Sequence, residues 1–236
     1  MDRKTIIEVN NISKDYLVRS TNFFSFKRRL KISALKNLNF KIQEKDRVGI
    51  IGRNGSGKST LCKIISGITY PNEGEVKIRG KISSVLEAGT GFDPELSGYQ
   101  NIIIGGAVLG MNRKSIMNKF ESIIKFSEIG EYIHVPIKKY STGMTIKLAF
   151  AVASYLDGNI FILDEILAVA DEKFRKKCIN KIIDDCINFN KTLLLVSHDI
   201  RNIIGTCNKI IYLKKGEIVA YGEAKKIAEM YQLEES

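Results

Sequence analysis

At 236 residues, 44% hydrophobic and 27% charged, the chain is too apolar for a disordered protein and long enough for one large α/β domain or a core with a small lobe; two independent large domains are not expected. Its longest apolar runs, around Ile102 to Met111 and Leu148 to Leu156, are about half the ~18 residues of a membrane span, and the start Met1-Asp2-Arg3-Lys4 is charged where a signal peptide needs its apolar stretch, so a cytoplasmic chain is expected. The formal net charge of +11 suits nucleic acid, an anionic leaflet or solvent, and alone selects none of them.

Alternation of apolar and polar residues at Ile6 to Val9 and at Leu38 to Ile42 predicts two antiparallel strands flanking an insertion at about 18–33. The insertion holds the densest basic run, Lys27-Arg28-Arg29 with Lys31, beside Phe23, Phe24 and Phe26. It reads either as a segment for a membrane surface or as a solvated loop with its phenylalanines packed inward. The apolar run Val48 to Ile51 then leads into Gly52-Arg53-Asn54-Gly55-Ser56-Gly57-Lys58-Ser59 and Thr60, a complete G-x-x-x-x-G-K-[ST] phosphate loop. Leu61, Ile64, Ile65 and Ile68 follow at helical spacing, so the loop opens a helix whose dipole faces an anion.

Pro71-Asn72-Glu73-Gly74 predicts a turn, with short strands at Glu75 to Ile78 and Ile82 to Leu86. From Ser97 to Tyr140 the spacing becomes helical, with Ile116, Phe120, Ile123, Ile124 and Ile129 on one face, and predicts a helical lobe inserted in the sheet domain. A helix is expected over Thr145 to Leu156, buried strands at Ile160 to Leu163 and Thr192 to Val196, a hairpin at Ile210 to Leu213 and Glu217 to Ala220, and a last helix to Leu233. Cys62, Cys178, Cys186 and Cys207 form no C-x-x-C pair or ligand cluster and read as buried or neutral thiols.

The chemistry concentrates at strand ends. Successive backbone N–H groups of the glycine-rich loop turn toward phosphates, Lys58 carries a point charge to the terminal phosphates, and the Ser59 hydroxyl suits Mg²⁺. Asp164 and Glu165 end a buried strand, where Asp164 suits a Mg²⁺ shell and Glu165 the orientation or deprotonation of water. His198, after the next buried strand, can donate a hydrogen bond to a transferring phosphoryl group. Tyr140-Ser141-Thr142-Gly143-Met144 precedes a helix and makes a second phosphate-binding helix start. No role is assigned to His134.

With Ser141 ahead of Asp164, as the signature motif lies ahead of the Walker B strand, the chain resembles the ABC-transporter ATPases over Ile6 to about Glu223. The resemblance implies an α/β fold, a P-loop NTPase core with mixed sheet at about 1–96 and 141–236, an N-terminal antiparallel β subdomain, and an inserted helical subdomain at about 97–140. It implies that Tyr16 stacks on adenine, that residues 52–60 cradle the phosphates of ATP, and that Ser141 and Gly143 cap the γ-phosphate held by the opposite subunit of a head-to-tail homodimer. Asp171 matches the dimer-contacting aspartate, whereas Ala168 replaces a commoner serine. Glu87 stands where a Mg²⁺-sensing glutamine is usual; its carboxylate can still ligate Mg²⁺ while adding negative charge.

The run Leu86 to Gly98, the Tyr-Ser-Thr-Gly-Met motif and Asp164 to Asp171 look like the subfamily that exports lipid-linked bacterial polysaccharides such as O-antigen, capsule or teichoic acid. That likeness implies two copies of an integral-membrane permease as partners, a lipid-linked polysaccharide as cargo, and a peripheral position on the cytoplasmic face of the inner membrane. Some members carry a further C-terminal carbohydrate-binding domain, and a chain ending at Ser236 would lack it. Another ABC export route, for teichoic acid, lipid or drug, and a nucleic-acid-associated ABC ATPase are the alternatives. The second lacks the long coiled coils or paired ATPase domains such proteins carry, and no nucleic acid is expected.

Overall fold

The computed structural model describes residues 4–19, 29–164, 172–197 and 200–235. By its internal contacts the chain forms two compact units, residues 1–79 with 194–236, and residues 80–193.

In the first unit, β1 (Thr5–Arg19) and β2 (Arg29–Gln43) pair antiparallel. Leu38, Phe40 and Ile42 are buried with the expected alternation, whereas in β1 Ile6 is buried beside Ile7 and Val9, where the register shifts between Thr5 and Ile7. The strands run much further than alternation indicated. Residues 18–19 and 29–33, read as insertion, are strand, and 20–28 lie outside the described residues. The reason is pairing rather than burial: β4 (Glu73–Ile78) accompanies β1 from Ile7 to Ser13, after which Lys14 to Arg19 continue beside Leu35 to Arg29. An Asp15–Lys31 ion pair of 2.8 Å crosses that ribbon, and Leu17 and Ile32 are exposed on it.

β3 (Arg47–Ile51) carries the chain into the phosphate loop and α1 (Lys58–Ile65) carries it out. The strand order here is β7-β3-β8-β9, with β3 parallel to β8 (Lys209–Lys214) and β8 antiparallel to β9 (Glu217–Glu223). β7 is Thr192–Val196, contributing from Leu194. β7 and the inner part of β8 are buried on both faces, hence their unbroken apolar runs. α6 (Ile200–Thr206) and α7 (Ala224–Glu235) complete the unit, and Glu234 of α7 holds Lys214 at 2.8 Å and the Tyr212 hydroxyl at 2.9 Å.

In the second unit, β5 (Ile82–Ser84) runs parallel to β6 (Ile160–Asp164). The strand expected to reach Leu86 stops at Ser84, whose side chain accepts the Leu86 amide and opens a 3₁₀ turn over Val85–Glu87. The helical stretch is not continuous. α2 (Gly98–Val108) and α3 (Arg113–Ser127) are separated at Gly110 to Asn112, and 3₁₀ turns at Gly130–His134 and Ile137–Lys139 follow. Ser97 with Gln100 forms a capping box on α2, and Asn112 caps α3 by accepting the Ser115 amide at 2.8 Å. α4 (Thr142–Ala153) begins three residues earlier than its apolar spacing indicated, and α5 is Glu172–Asn188.

All four cysteines are buried thiols outside any disulfide, and burial pushes the Cys207 thiol up to about 12, so it stays protonated and unreactive. No helix among the described residues is long and apolar enough to cross a membrane.

Candidate nucleotide site

The phosphate loop is built by close backbone approach. Gly52 adopts φ 144°, and a Cβ there would lie 2.1 Å from the Leu213 carbonyl oxygen. At Gly57, φ is 107°, and a Cβ would lie 2.6 Å from both the Ala34 carbonyl oxygen and Leu35 Cδ2. Side chains at these positions would push the loop off β8 and β2. Between them Arg53, Asn54 and Gly55 are exposed, while Gly52 and Ser56 are buried.

Lys58 is 5% exposed, and its ammonium curls back to donate to the carbonyls of Gly52 at 2.7 Å and Arg53 at 3.0 Å. The loop therefore positions a buried cation at its own centre. Gly57 is the N-cap of α1 and no side chain caps that helix, so its first-turn N–H groups face the loop with the positive end of the dipole. Ser59 and Thr60 follow on that turn, both half-buried. Burial of Leu61, Ile64 and Ile65 anchors the helix, each contributing roughly 1.5–3 kcal/mol.

A triphosphate fits this arrangement. Its cradle is one that a Cβ would fill, its cation is preset, and the buried Ser56 Oγ has no hydrogen-bond partner among the described residues. A cavity of about 650 Å³ adjoins the loop, lined by Gly52 to Ser56, Tyr212 to Lys215 and Tyr231.

Sequence reading missed the turn that supports the loop. The Gly216 amide donates to the Ser56 carbonyl at 3.1 Å, and its own carbonyl accepts the Lys36 amide at 2.8 Å. The Lys214-Lys215-Gly216 spacing identifies the hairpin, but nothing local in it reveals a partner 160 residues upstream.

Tyr16, on β1 of the same unit, is 39% exposed with the Lys14 ammonium 5.4 Å from its ring centroid. It pairs with Ile32, while its neighbour Lys14 pairs with Leu35, the residue against Gly57. The strand pair thus places an open aromatic ring close along the chain from the loop's support.

In the second unit, Ser141 is the N-cap of α4 and its hydroxyl accepts the Met144 amide at 3.2 Å. Gly143 lies in the first turn, so N–H groups and dipole are presented as the sequence indicated. Tyr140 steers the chain into this cap through a 2.5 Å bond from its hydroxyl to the Tyr132 carbonyl, and burial raises that hydroxyl's pKa. Asp164 is the last residue of β6 and is 3% exposed, behind the fully buried Ile160 to Leu163. Glu87 ends the 3₁₀ turn after β5.

Its side chain, together with Glu165, Ala168, Asp171 and His198, lies outside the described residues. His134 is exposed beside a cavity of about 540 Å³ with Glu95, Ser97, Tyr99, Gln100 and Pro136.

Comparison with known proteins gives one consistent likeness. The family described as "ABC transporter" matches residues 35–168. An O-antigen export system ATP-binding protein, RfbB, of Klebsiella pneumoniae is 38% identical over 93% of this chain and 89% of its own length. Its counterpart from Myxococcus xanthus is 44% identical over 85% of this chain, which spans only 46% of that longer relative. A teichoic acids export ATP-binding protein, TagH, of Staphylococcus haemolyticus is 34% identical over 96% of this chain and 88% of its own length. Among solved structures, the dimeric post-hydrolysis state of the ATP-binding cassette MJ0796 bound to ADP and Pi is 26% identical, with a TM-score of 0.71 over 93% of this chain and 99% of that one.

Proposed function

The chain belongs to the ABC transporter family, and on that premise we propose that it is the ATP-hydrolysing subunit of an exporter that carries a lipid-linked cell-surface polysaccharide across the bacterial inner membrane. The observation that carries the ATPase reading is the loop between β3 and α1, with Lys58 buried on the Gly52 and Arg53 carbonyls. Relatives named for O-antigen export that match nearly end to end support the polysaccharide cargo. A teichoic acid cargo is the second reading, favoured by the TagH relative that this chain matches over almost its whole length.

The residues divide the work. Residues 52–60 hold the phosphates of ATP through backbone N–H groups and the Lys58 ammonium, and Tyr16 offers its ring to the adenine. Ser59 and Asp164, with Glu87 as a further carboxylate, are the residues to hold Mg²⁺, which when bound neutralises phosphate charge. Glu165 takes the proton of the attacking water and His198 donates to the transferring group. Ser141 and Gly143 present the start of α4 to the nucleotide of a second copy, so the working unit is a homodimer on two permease subunits at the cytoplasmic membrane face. Closure on ATP and reopening after hydrolysis move the permease.

Purified protein tests the ATPase half of this. Wild type is expected to hydrolyse ATP with a Mg²⁺ requirement, and Glu165→Gln to bind ATP without turnover. Undiminished turnover in Glu165→Gln would remove Glu165 from its role.

A further inference from the structure

Glu128 directly follows α3, and it bonds lysines from two other helices. One carboxylate oxygen holds Lys147 of α4 at 3.2 Å, and the other holds Lys177 of α5 at 2.7 Å. Lys177 also donates to the Phe126 carbonyl at 3.0 Å, so the C-terminus of α3 receives the cation its dipole favours. Beneath the charges lies an aromatic floor. Lys177 stands 4.4 Å over Phe126 and 5.5 Å over Phe174, Lys147 stands 5.1 Å over Phe174, and the two rings are 5.8 Å apart.

The backbone at Glu128 marks the side chain as the reason for the residue. Its φ is 61°, the left-handed position after a helix end where glycine or asparagine is usual. A glutamate there gives up backbone comfort, and the return is a carboxylate aimed at two helices. Each ion pair alone is partly exposed and weak. Jointly they fix direction, because two charges, a carbonyl and two rings over-determine the position of one carboxylate.

What the cluster joins is functionally asymmetric. α4 is the helix that Ser141 opens, and Lys147 lies six residues beyond that cap. α5 is the helix that follows the Asp164 strand, and Lys177 lies in its second turn. We infer that Glu128, with Lys147, Lys177 and Phe174, is a strut that sets the direction of the Ser141 helix against the helix after Asp164, making Glu128 a positioning residue for the ATP-driven dimer cycle. The inference rests on the proposed role of Ser141 in capping a second copy's nucleotide.

The strut acts on closure and turnover, not on nucleotide capture by the phosphate loop. Glu128→Gly removes the carboxylate while relaxing the left-handed backbone, so folding stability is retained where a merely structural residue would lose it. The expected result is a kcat lower by roughly three- to tenfold with KM for ATP little changed, for both Glu128→Gly and Glu128→Gln. ATP-driven dimerisation measured by light scattering in the Glu165→Gln background weakens in parallel, and Glu128→Asp restores part of both. Wild-type kcat and dimerisation in the Gly and Gln variants would overturn the strut, as would a fall in Tm with kcat unchanged. If the Glu165→Gln parent, with Glu128 intact, fails to dimerise on ATP, the reading of Ser141 itself falls and takes the strut with it.

Discussion

Gly216 donates its amide to the Ser56 carbonyl at 3.1 Å, tying the β8–β9 turn to the phosphate loop. Its φ is 83°, and a Cβ would lie 2.8 Å from the Ala34 carbonyl oxygen, so the contact needs a residue without a side chain. Gly216→Ala is therefore expected to cost about 1–3 kcal/mol of stability and to loosen the loop. Thermal melts combined with ATP titration calorimetry test this: both Tm and affinity fall, whereas an unchanged affinity would separate the turn from the site.

Ser56 separates stability from binding. Its buried hydroxyl has no partner among the described residues, so Ser56→Ala is expected to leave stability unchanged within about 0.5 kcal/mol or to raise it slightly. On the proposed reading, in which the hydroxyl meets the bound phosphate, ATP affinity is expected to fall by roughly three- to tenfold. Paired melts with and without ATP read both effects on one sample, and an affinity equal to wild type would place that partner elsewhere.

Lys58→Ala removes the ammonium buried on the Gly52 and Arg53 carbonyls. ATP affinity is expected to drop at least roughly tenfold, since the ammonium sits on the carbonyls at the loop's centre. Calorimetry checks it, and wild-type affinity would contradict the assignment of the loop.

Ser141→Arg puts a bulky cation at the start of α4 and removes its cap, at about 1 kcal/mol. ATP binding to one subunit is expected to persist, while ATP-driven dimerisation in the Glu165→Gln background disappears. Light scattering with and without ATP reads the difference, and normal dimerisation would refute capping across subunits.

The Lys177 hydrogen bond, against a smaller desolvation effect and with Lys147 assisting, lowers the Glu128 pKa from its ordinary 4.5. A lowered folded-state value means that the stabilisation is fully present above about pH 4.5 and is lost as pH falls through the lower folded value. Solvent screening keeps it small. Tm measured from pH 6 to pH 3 is expected to fall less steeply for Glu128→Gln than for wild type, and parallel curves would show that Glu128 does not contribute.

The local elements that were legible are those written in consecutive residues. Gly52 to Thr60, the Ser141 cap and the Asp164 strand end each combine a strand or helix signal with the polar group it positions. The Gly216 support and the Glu128 cluster were not legible, because their partners are brought together by packing of distant elements. The β1–β2 ribbon escaped for another reason: where Asp15 to Leu17 pair with Ser33 to Lys31, the strands are held by each other's backbone, and none of these side chains is buried to impose an alternating pattern. The break in the helical lobe was readable from Gly110 and the Asn112 cap, but the apolar spacing ran through it and masked it.

The central claim, that ATP hydrolysis by this chain drives export of a lipid-linked polysaccharide, is tested most directly in its own host by replacing the gene with Lys58→Ala. Surface polysaccharide and lipid extracts are then compared with wild type by mass spectrometry. The account predicts loss of the surface glycan with accumulation of its lipid-linked precursor inside the cell. Unchanged surface glycan without any accumulating precursor would contradict it.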